Sequence, residues 1–267
     1  MGFTLVSFHA HPDDEVLFTG GTLARVAAEG HRVILAVATA GGAGQASERY
    51  DRQTLAAQRM RELEESATVL GCADLVTFDF PDSGWRVTPP PGSFSQLPVA
   101  EAAAPLADLL RRERADALTV YDQAGGYGHP DHRQVHDVGT YAAGLAGTRL
   151  VLEATMDRRS MQTVARLVQA VPRVLPEIKA EDFADAYTDR ADLTHRVDVR
   201  AYLDHKRRAL LAHLSQASAS RGTRTLALLL RLPPFLFSRA LGYERFVEQG
   251  RNPDRRHQLD DVFATLR

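Results

Sequence analysis

The chain has 267 residues, enough for one large domain or a domain with an appendage. Its 32 lysines and arginines almost balance 34 aspartates and glutamates, for a formal net charge of −2, so it carries no basic footprint for nucleic acid or an anionic membrane. The single cysteine, Cys72, excludes an internal disulfide framework and a thiolate zinc cluster, which leaves nitrogen and oxygen ligands for any metal.

Taken in chain order, Phe3 to Phe8 reads as a short buried strand and Gly21 to Glu29 as the helix that follows it. Val33 to Ala38 is a second strand, Asp51 to Leu70 a helix stopped by Gly71, and Leu75 to Phe80 a third strand. Val99 to Glu113 is helical, Ala117 to Tyr121 is the fourth strand, Arg133 to Leu145 a helix and Leu150 to Ala154 a fifth strand. Strand–helix alternation predicts an α/β fold, a Rossmann-like parallel sheet with flanking helices. Beyond Met156 the rhythm loosens, with a strand at Val197 to Val199 and a helix at Ala201 to Leu214. The expected division is a catalytic core over residues 1–155 and a smaller C-terminal portion over 156–267, packing on the core and shaping the cleft. Ala40 to Arg49 and the proline-rich Val87 to Pro98 read as long loops.

Met1-Gly2-Phe3-Thr4 lacks a basic segment followed by a long apolar one, so no secretory signal is expected. The most apolar stretch, Arg224 to Arg239, is interrupted by Arg231 and Pro233-Pro234 and is too short and broken to span a bilayer. A soluble, cytoplasmic protein is the expectation.

Two clusters carry chemistry. The first strand runs into His9-Ala10-His11-Pro12-Asp13-Asp14-Glu15, and in open α/β sheets ligands gather at the carboxyl ends of strands. Adjacent carboxylates repel unless a cation or proton compensates. The same three acids could instead cap the following helix and favour its dipole. After the fourth strand comes Asp122-Gln123-Ala124-Gly125-Gly126-Tyr127-Gly128-His129-Pro130-Asp131-His132. Either histidine alone reads as a loop or cap residue. Two His-Pro-Asp clusters behind two strands of one parallel sheet face the same crevice, where a zinc of histidine and aspartate ligands plus one water is physically natural.

His11-Pro12-Asp13-Asp14-Glu15 with His129-Pro130-Asp131-His132 resembles the signature of the PIG-L/LmbE de-N-acetylases. Gly20-Gly21-Thr22-Leu23, Arg59-Met60-Arg61-Glu62-Leu63, Pro81-Asp82-Ser83-Gly84 and Gly125-Gly126-Tyr127-Gly128 extend the resemblance over most of residues 3–140. It implies His11, Asp14 and His132 as ligands of one Zn2+ per chain, with Fe2+ able to use the same set. It implies Asp13 as general base, His129 as general acid or oxyanion stabiliser, Asp131 as the group that orients His129, and Tyr127 as a polariser of the acetyl carbonyl. Arg59 and Asp82 match positions that contact sugar or inositol hydroxyls. In one departure, Thr39-Ala40-Gly41-Gly42-Ala43-Gly44 lacks the acid many relatives carry after the second strand.

Other features are weighed beside these. His9 is expected to point away from the site, by alternation with His11, and His136 to be a packed or solvated helix residue. Trp85 and Phe94 could stack on a sugar or anchor their loop. Leu226 to Phe237 most simply packs on the core, with a wall for an acyl or lipid portion, or a subunit contact, as alternatives. The expected function is zinc-dependent removal of an N-acetyl or short N-acyl group from an amino-sugar, an N-acetylglucosaminide. A metal-dependent amidase acting on a thiol conjugate or a glycosylated secondary metabolite shares the machinery. A non-catalytic metal- or sugar-binding protein would have no need of a base at Asp13.

Overall fold

The computed structural model of the chain describes residues 2–41, 52–85, 87–169, 184–213, 229–254 and 256–267. The order of elements is β1 (Thr4–His9), α1 (Asp14–Phe18), α2 (Gly20–Ala28), β2 (Arg32–Thr39), α3 (Arg52–Val69), β3 (Asp74–Phe80), α4 (Val99–Glu113), β4 (Ala117–Tyr121), α5 (Pro130–Ala146) and β5 (Leu150–Thr155). They are followed by α6 (Arg158–Gln169), β6 (His195–Asp198), α7 (Leu203–Ala212), α8 (Pro234–Leu241) and β7 (Tyr243–Glu248).

The described strands form one seven-stranded sheet in the order β3-β2-β1-β4-β5-β7-β6. β1 to β5 run parallel, and β7 pairs antiparallel with both β5 and β6. The central strands read as near-continuous apolar runs because both faces are covered: Val33 to Ala38 in β2 and Ala117 to Tyr121 in β4 are all buried. The order reverses between β1 and β4, so the crevice of a doubly wound sheet opens there, above the ends of the two strands that lead into the His-Pro-Asp clusters.

Helix α5 starts three residues before the position the apolar period marks, because local chemistry sets its start. His129 is its N-cap, Pro130 supplies a ready-made first-turn φ, and Gly147 in the left-handed region ends it. The second cluster is therefore the first turn of a helix rather than loop. That helix lies hard against β4: a Cβ on Gly139 would fall 2.3 Å from Val120 Cγ1.

Residues beyond 155 complete the same sheet, through β7 and β6, and share one apolar core with the earlier strands. β7 and helices α6 and α8 are absent from the sequence-based expectation. The alternating charges of Tyr243-Glu244-Arg245-Phe246-Val247-Glu248 conceal β7. Of the apolar Leu226 to Phe237 stretch, residues 226–228 lie outside the described residues, as do 42–49 of the Ala40 to Arg49 loop. In α8, Phe237 is buried while Phe235 is 70% exposed, so the helix packs through one face only. No described helix is long and apolar enough to cross a membrane.

Candidate active site

The first cluster is a tightly held turn. Asp13 caps α1 with φ 99°, a conformation that strains a residue bearing a Cβ and persists only where its surroundings hold it. Three contacts do so. The Asp13 N–H donates to Glu15 Oε2 at 2.9 Å, the Pro12 carbonyl accepts from Arg59 Nη2 at 2.6 Å, and Arg59 Nη2 lies 3.5 Å from Asp13 Oδ2. Glu15 is itself buried, and its Oε1 accepts from Ser66 Oγ at 2.6 Å and faces His213 Nε2 at 2.7 Å. One carboxylate thereby joins α1 to α3 and to the end of α7.

The second cluster meets the first across the switch point. His132 is completely buried, its ring stacked on Tyr121 at 4.1 Å and 9°. His132 Nε2 lies 3.2 Å, and His11 Nδ1 3.3 Å, from the same oxygen, Asp14 Oδ2. On the far side of the His11 ring, Nε2 lies 3.1 Å from Asp131 Oδ2, which also accepts the Ser83 N–H at 3.1 Å. Asp82 Oδ1 stands 3.6 Å from the same His11 nitrogen.

These contacts set the charge states. Burial would lower the His11 imidazole, but bonds to Asp131, Asp14 and Asp82 outweigh it and raise its pKa well above the usual histidine value. Burial would raise Asp14, but the nearby charge of His132 and the bond from His11 hold it well below the usual carboxylate range. Asp13 goes the other way: burial, reinforced by Asp14 and opposed by Arg59, pushes it up to about 6. His129 is pushed down to about 3 by burial and by the neighbouring His11 and His132.

His129 also has its tautomer fixed. Its Nδ1 accepts the Asp131 backbone N–H at 3.1 Å, so the neutral ring carries its proton on Nε2. Asp131 therefore orients His129 through its main chain, whereas its carboxylate reaches His11. A resting imidazolium at position 129 is disfavoured, which makes the Nε2–H a neutral hydrogen-bond donor.

The donor set suits a divalent metal. Both ring nitrogens of buried His132 lack a hydrogen-bond partner, although Nε2 faces the Asp14 oxygen that His11 also approaches. An orphaned buried imidazole costs free energy unless something occupies it, and nitrogen–oxygen–nitrogen is a zinc-type set. Ligand atoms of His11, His129 and His132, and of His11, Asp82 and Asp131, also fall within 4.8 Å of one another.

The remaining sequence-based positions divide. Tyr127 is 36% exposed at the rim, and its partial burial with the nearby Asp14 and Asp13 charges keeps the phenol protonated. Arg59 is buried and spends its guanidinium on Pro12 and Gly41 carbonyls, the latter at 2.6 Å. Phe94 is fully buried, stacked on Phe80 at 5.2 Å, and so anchors its loop. His136 bonds Asp137 and Glu153 on its own side of α5. His9 lies beneath the site, 3.2 Å from the Tyr121 hydroxyl and 3.0 Å from Thr19 Oγ1. Residues two apart on a strand share a face, so the turn after His9, not alternation, separates it from His11. Tyr121, Glu15 and His213 support the site without having been singled out for that role; only the end of a strand marked Tyr121.

A buried His/Asp donor set at the switch point of a doubly wound sheet is an arrangement suited to a metal-assisted hydrolase. Residues 6–143 match the family described as PIG-L, GlcNAc-PI de-N-acetylase, and the chain belongs to that family. It is 36% identical over 252 residues to 1D-myo-inositol 2-acetamido-2-deoxy-alpha-D-glucopyranoside deacetylase 1 of Catenulispora acidiphila, an alignment covering 82% of this chain and 76% of the relative. Among solved structures it is similar to the N,N'-diacetylchitobiose deacetylase of Pyrococcus horikoshii, with a TM-score of 0.61 and 21% identity over 99% of this chain and 88% of that one. It is also similar to the zinc-inhibited form of the teicoplanin deacetylase Orf2, with a TM-score of 0.56 and 17% identity over 92% of this chain and 99% of that one. At these identities the likeness to the two structures concerns the fold.

Proposed function

We propose that the chain removes the N-acetyl group from an N-acetylglucosaminide, with one zinc ion held by His11, Asp14 and His132. The observation that carries this reading is the meeting of His11 and His132 on one Asp14 oxygen, beside a second carboxyl, Asp13, whose pKa is pushed up to about 6. Zinc bound there would supply Lewis-acid activation of water and of the amide carbonyl.

The protein's own groups do the rest. Ionised Asp13 takes a proton from the attacking water as its oxygen bonds to the carbonyl carbon. The His129 Nε2–H and the Tyr127 hydroxyl donate to the oxygen on which negative charge develops. The C–N bond then breaks, and Asp13, with a pKa near 6, returns its proton to the departing amine. Neutral His129 is better suited to stabilising the oxyanion than to supplying this proton. Arg59 and Asp82 stand at the mouth of the turn and against His11, and a sugar hydroxyl reaching them would meet groups already engaged with protein.

Acetate release from N-acetylglucosaminyl-inositol, N-acetylglucosamine and diacetylchitobiose tests the reading, with zinc content measured in parallel. Turnover of at least one glycoside, lost in metal-deficient His132→Ala protein, is expected. Full zinc occupancy in His132→Ala would remove His132 from the ligand set, and no acetate from any substrate would count against the activity.

A further inference from the structure

We propose that Trp85 is a positioning residue that holds the His129 ring in its working plane. This inference rests on the role of His129 proposed above. The indole is offset-stacked on the imidazole, with centroids 5.2 Å apart and planes 16° apart. Tyr127 stands edge-on to Trp85 at 5.1 Å and 89°, and the His11 ring meets His129 at 4.7 Å and 75°. The imidazole is thus boxed by aromatic rings as well as tethered by one hydrogen bond.

The two restraints are complementary. The Asp131 N–H on Nδ1 selects the tautomer and aims Nε2. A single bond to the ring edge still leaves the broad torsion of an imidazole about its Cβ–Cγ bond. A stacked face removes that freedom, because turning the ring breaks the stack. Both restraints lead back to one residue. The Asp131 carboxylate accepts the Ser83 N–H at 3.1 Å, two positions before Trp85. Ser83 Oγ donates to Ser95 Oγ at 2.7 Å and the Gly84 N–H donates to Asp82 Oδ1 at 2.8 Å, which fixes the loop that presents the indole. On the face that meets His129, the indole is not free to serve as a sugar-stacking platform.

Because Trp85 is the chain's one tryptophan, selectively excited tryptophan emission reports on the surroundings of this one ring, His129 among them. The test compares wild type, Trp85→Leu, Trp85→Phe and His129→Ala for kcat, KM, zinc content and, where the indole remains, emission. Trp85→Leu should lower kcat about tenfold or more, since small misplacements of a catalytic group are costly. KM should stay within about threefold and zinc at one per chain. Trp85→Phe keeps a ring face and should recover most of the loss, and His129→Ala should change the emission of Trp85. Unchanged kcat in Trp85→Leu, or a raised KM with kcat intact, overturns the proposal, the latter in favour of a sugar platform. If Trp85→Leu does not fold, unchanged emission in His129→Ala overturns it equally. Wild-type kcat in His129→Ala would instead overturn the catalytic role of His129, and with it this inference. Loss of activity in His129→Ala beside a fully active Trp85→Leu overturns the clamp alone.

Discussion

Asp13 and Asp14 are neighbours of identical chemistry whose pKa values are pushed in opposite directions. Asp14 faces two imidazoles and stays ionised, while Asp13, turned back on a strained backbone toward Arg59, is pushed up to about 6. Asp13→Asn should therefore retain zinc and lose turnover by about 10²–10⁴-fold, whereas Asp14→Asn should lose zinc first. Zinc content and kcat of the two variants check this. A base must be ionised, so kcat/KM should be sustained above pH 6 and decline as pH falls through about 6, and lower still once a cation's charge adds to that of Arg59. A pH profile lacking any acidic limb would contradict the assignment of Asp13.

His11 gives a second expectation at the same scale. Its pKa is raised by Asp131, Asp14 and Asp82, so the metal-free site holds a proton that a metal must displace. Zinc affinity should weaken as pH falls below that raised value. Calorimetric titrations in buffers of different ionisation enthalpy should show a net release of about one proton at neutral pH. Asp131→Asn should reduce this release and weaken zinc binding about 10–100-fold, as loss of a carboxylate behind a ligand histidine does.

Among the elements, α1 and α5 place the chemistry, and their signals were unequally visible. Ala117 to Tyr121 and Val99 to Glu113 carry strong periods and occupy β4 and α4 with the same boundaries. The start of α5 depends on a cap and a proline, so periodicity alone placed it late. The two histidine–aspartate clusters were legible because adjacent charged residues at strand ends have few structural uses. The supports were not: Glu15 acts through Ser66 and His213, which are 51 and 198 positions away, and no local pattern records such pairings. Asp131 reads naturally as the partner of His129 two positions before it, yet its carboxylate faces His11 from 120 positions earlier. Glu15→Gln weakens the charge-assisted bond to His213 and should cost about 1.5–3 kcal/mol of stability. With the Asp13 anchor loosened, kcat should fall more than KM rises. Urea unfolding and steady-state kinetics on the same preparation check both halves.

At the scale of the molecule, the site is a seam between two halves of a sheet, with the buried His132 ring at its centre lacking hydrogen-bond partners. A ligand that binds only the folded form stabilises it by mass action. Zinc at 100 times its dissociation constant should add about 2.7 kcal/mol, and chelation should lower Tm correspondingly. Scans with and without chelator, at fixed pH, measure this; no change in Tm for protein shown to bind zinc would mean that the seam is held by other contacts.

The buried Glu244 carboxylate accepts the Gly21 and Thr22 N–H groups at 2.8 and 2.7 Å and pairs with buried Lys206 at 2.5 Å, while Lys206 also donates to the Leu17 carbonyl. During synthesis, the helix that follows the first cluster emerges more than 200 residues before the group that caps it. Until β7 arrives, a nascent chain has both histidine–aspartate clusters but an uncapped α2 and an unpaired lysine beside them. Such long-range closure slows folding, and β7, the last of the described strands in chain order, is the one that locks the first helices in place.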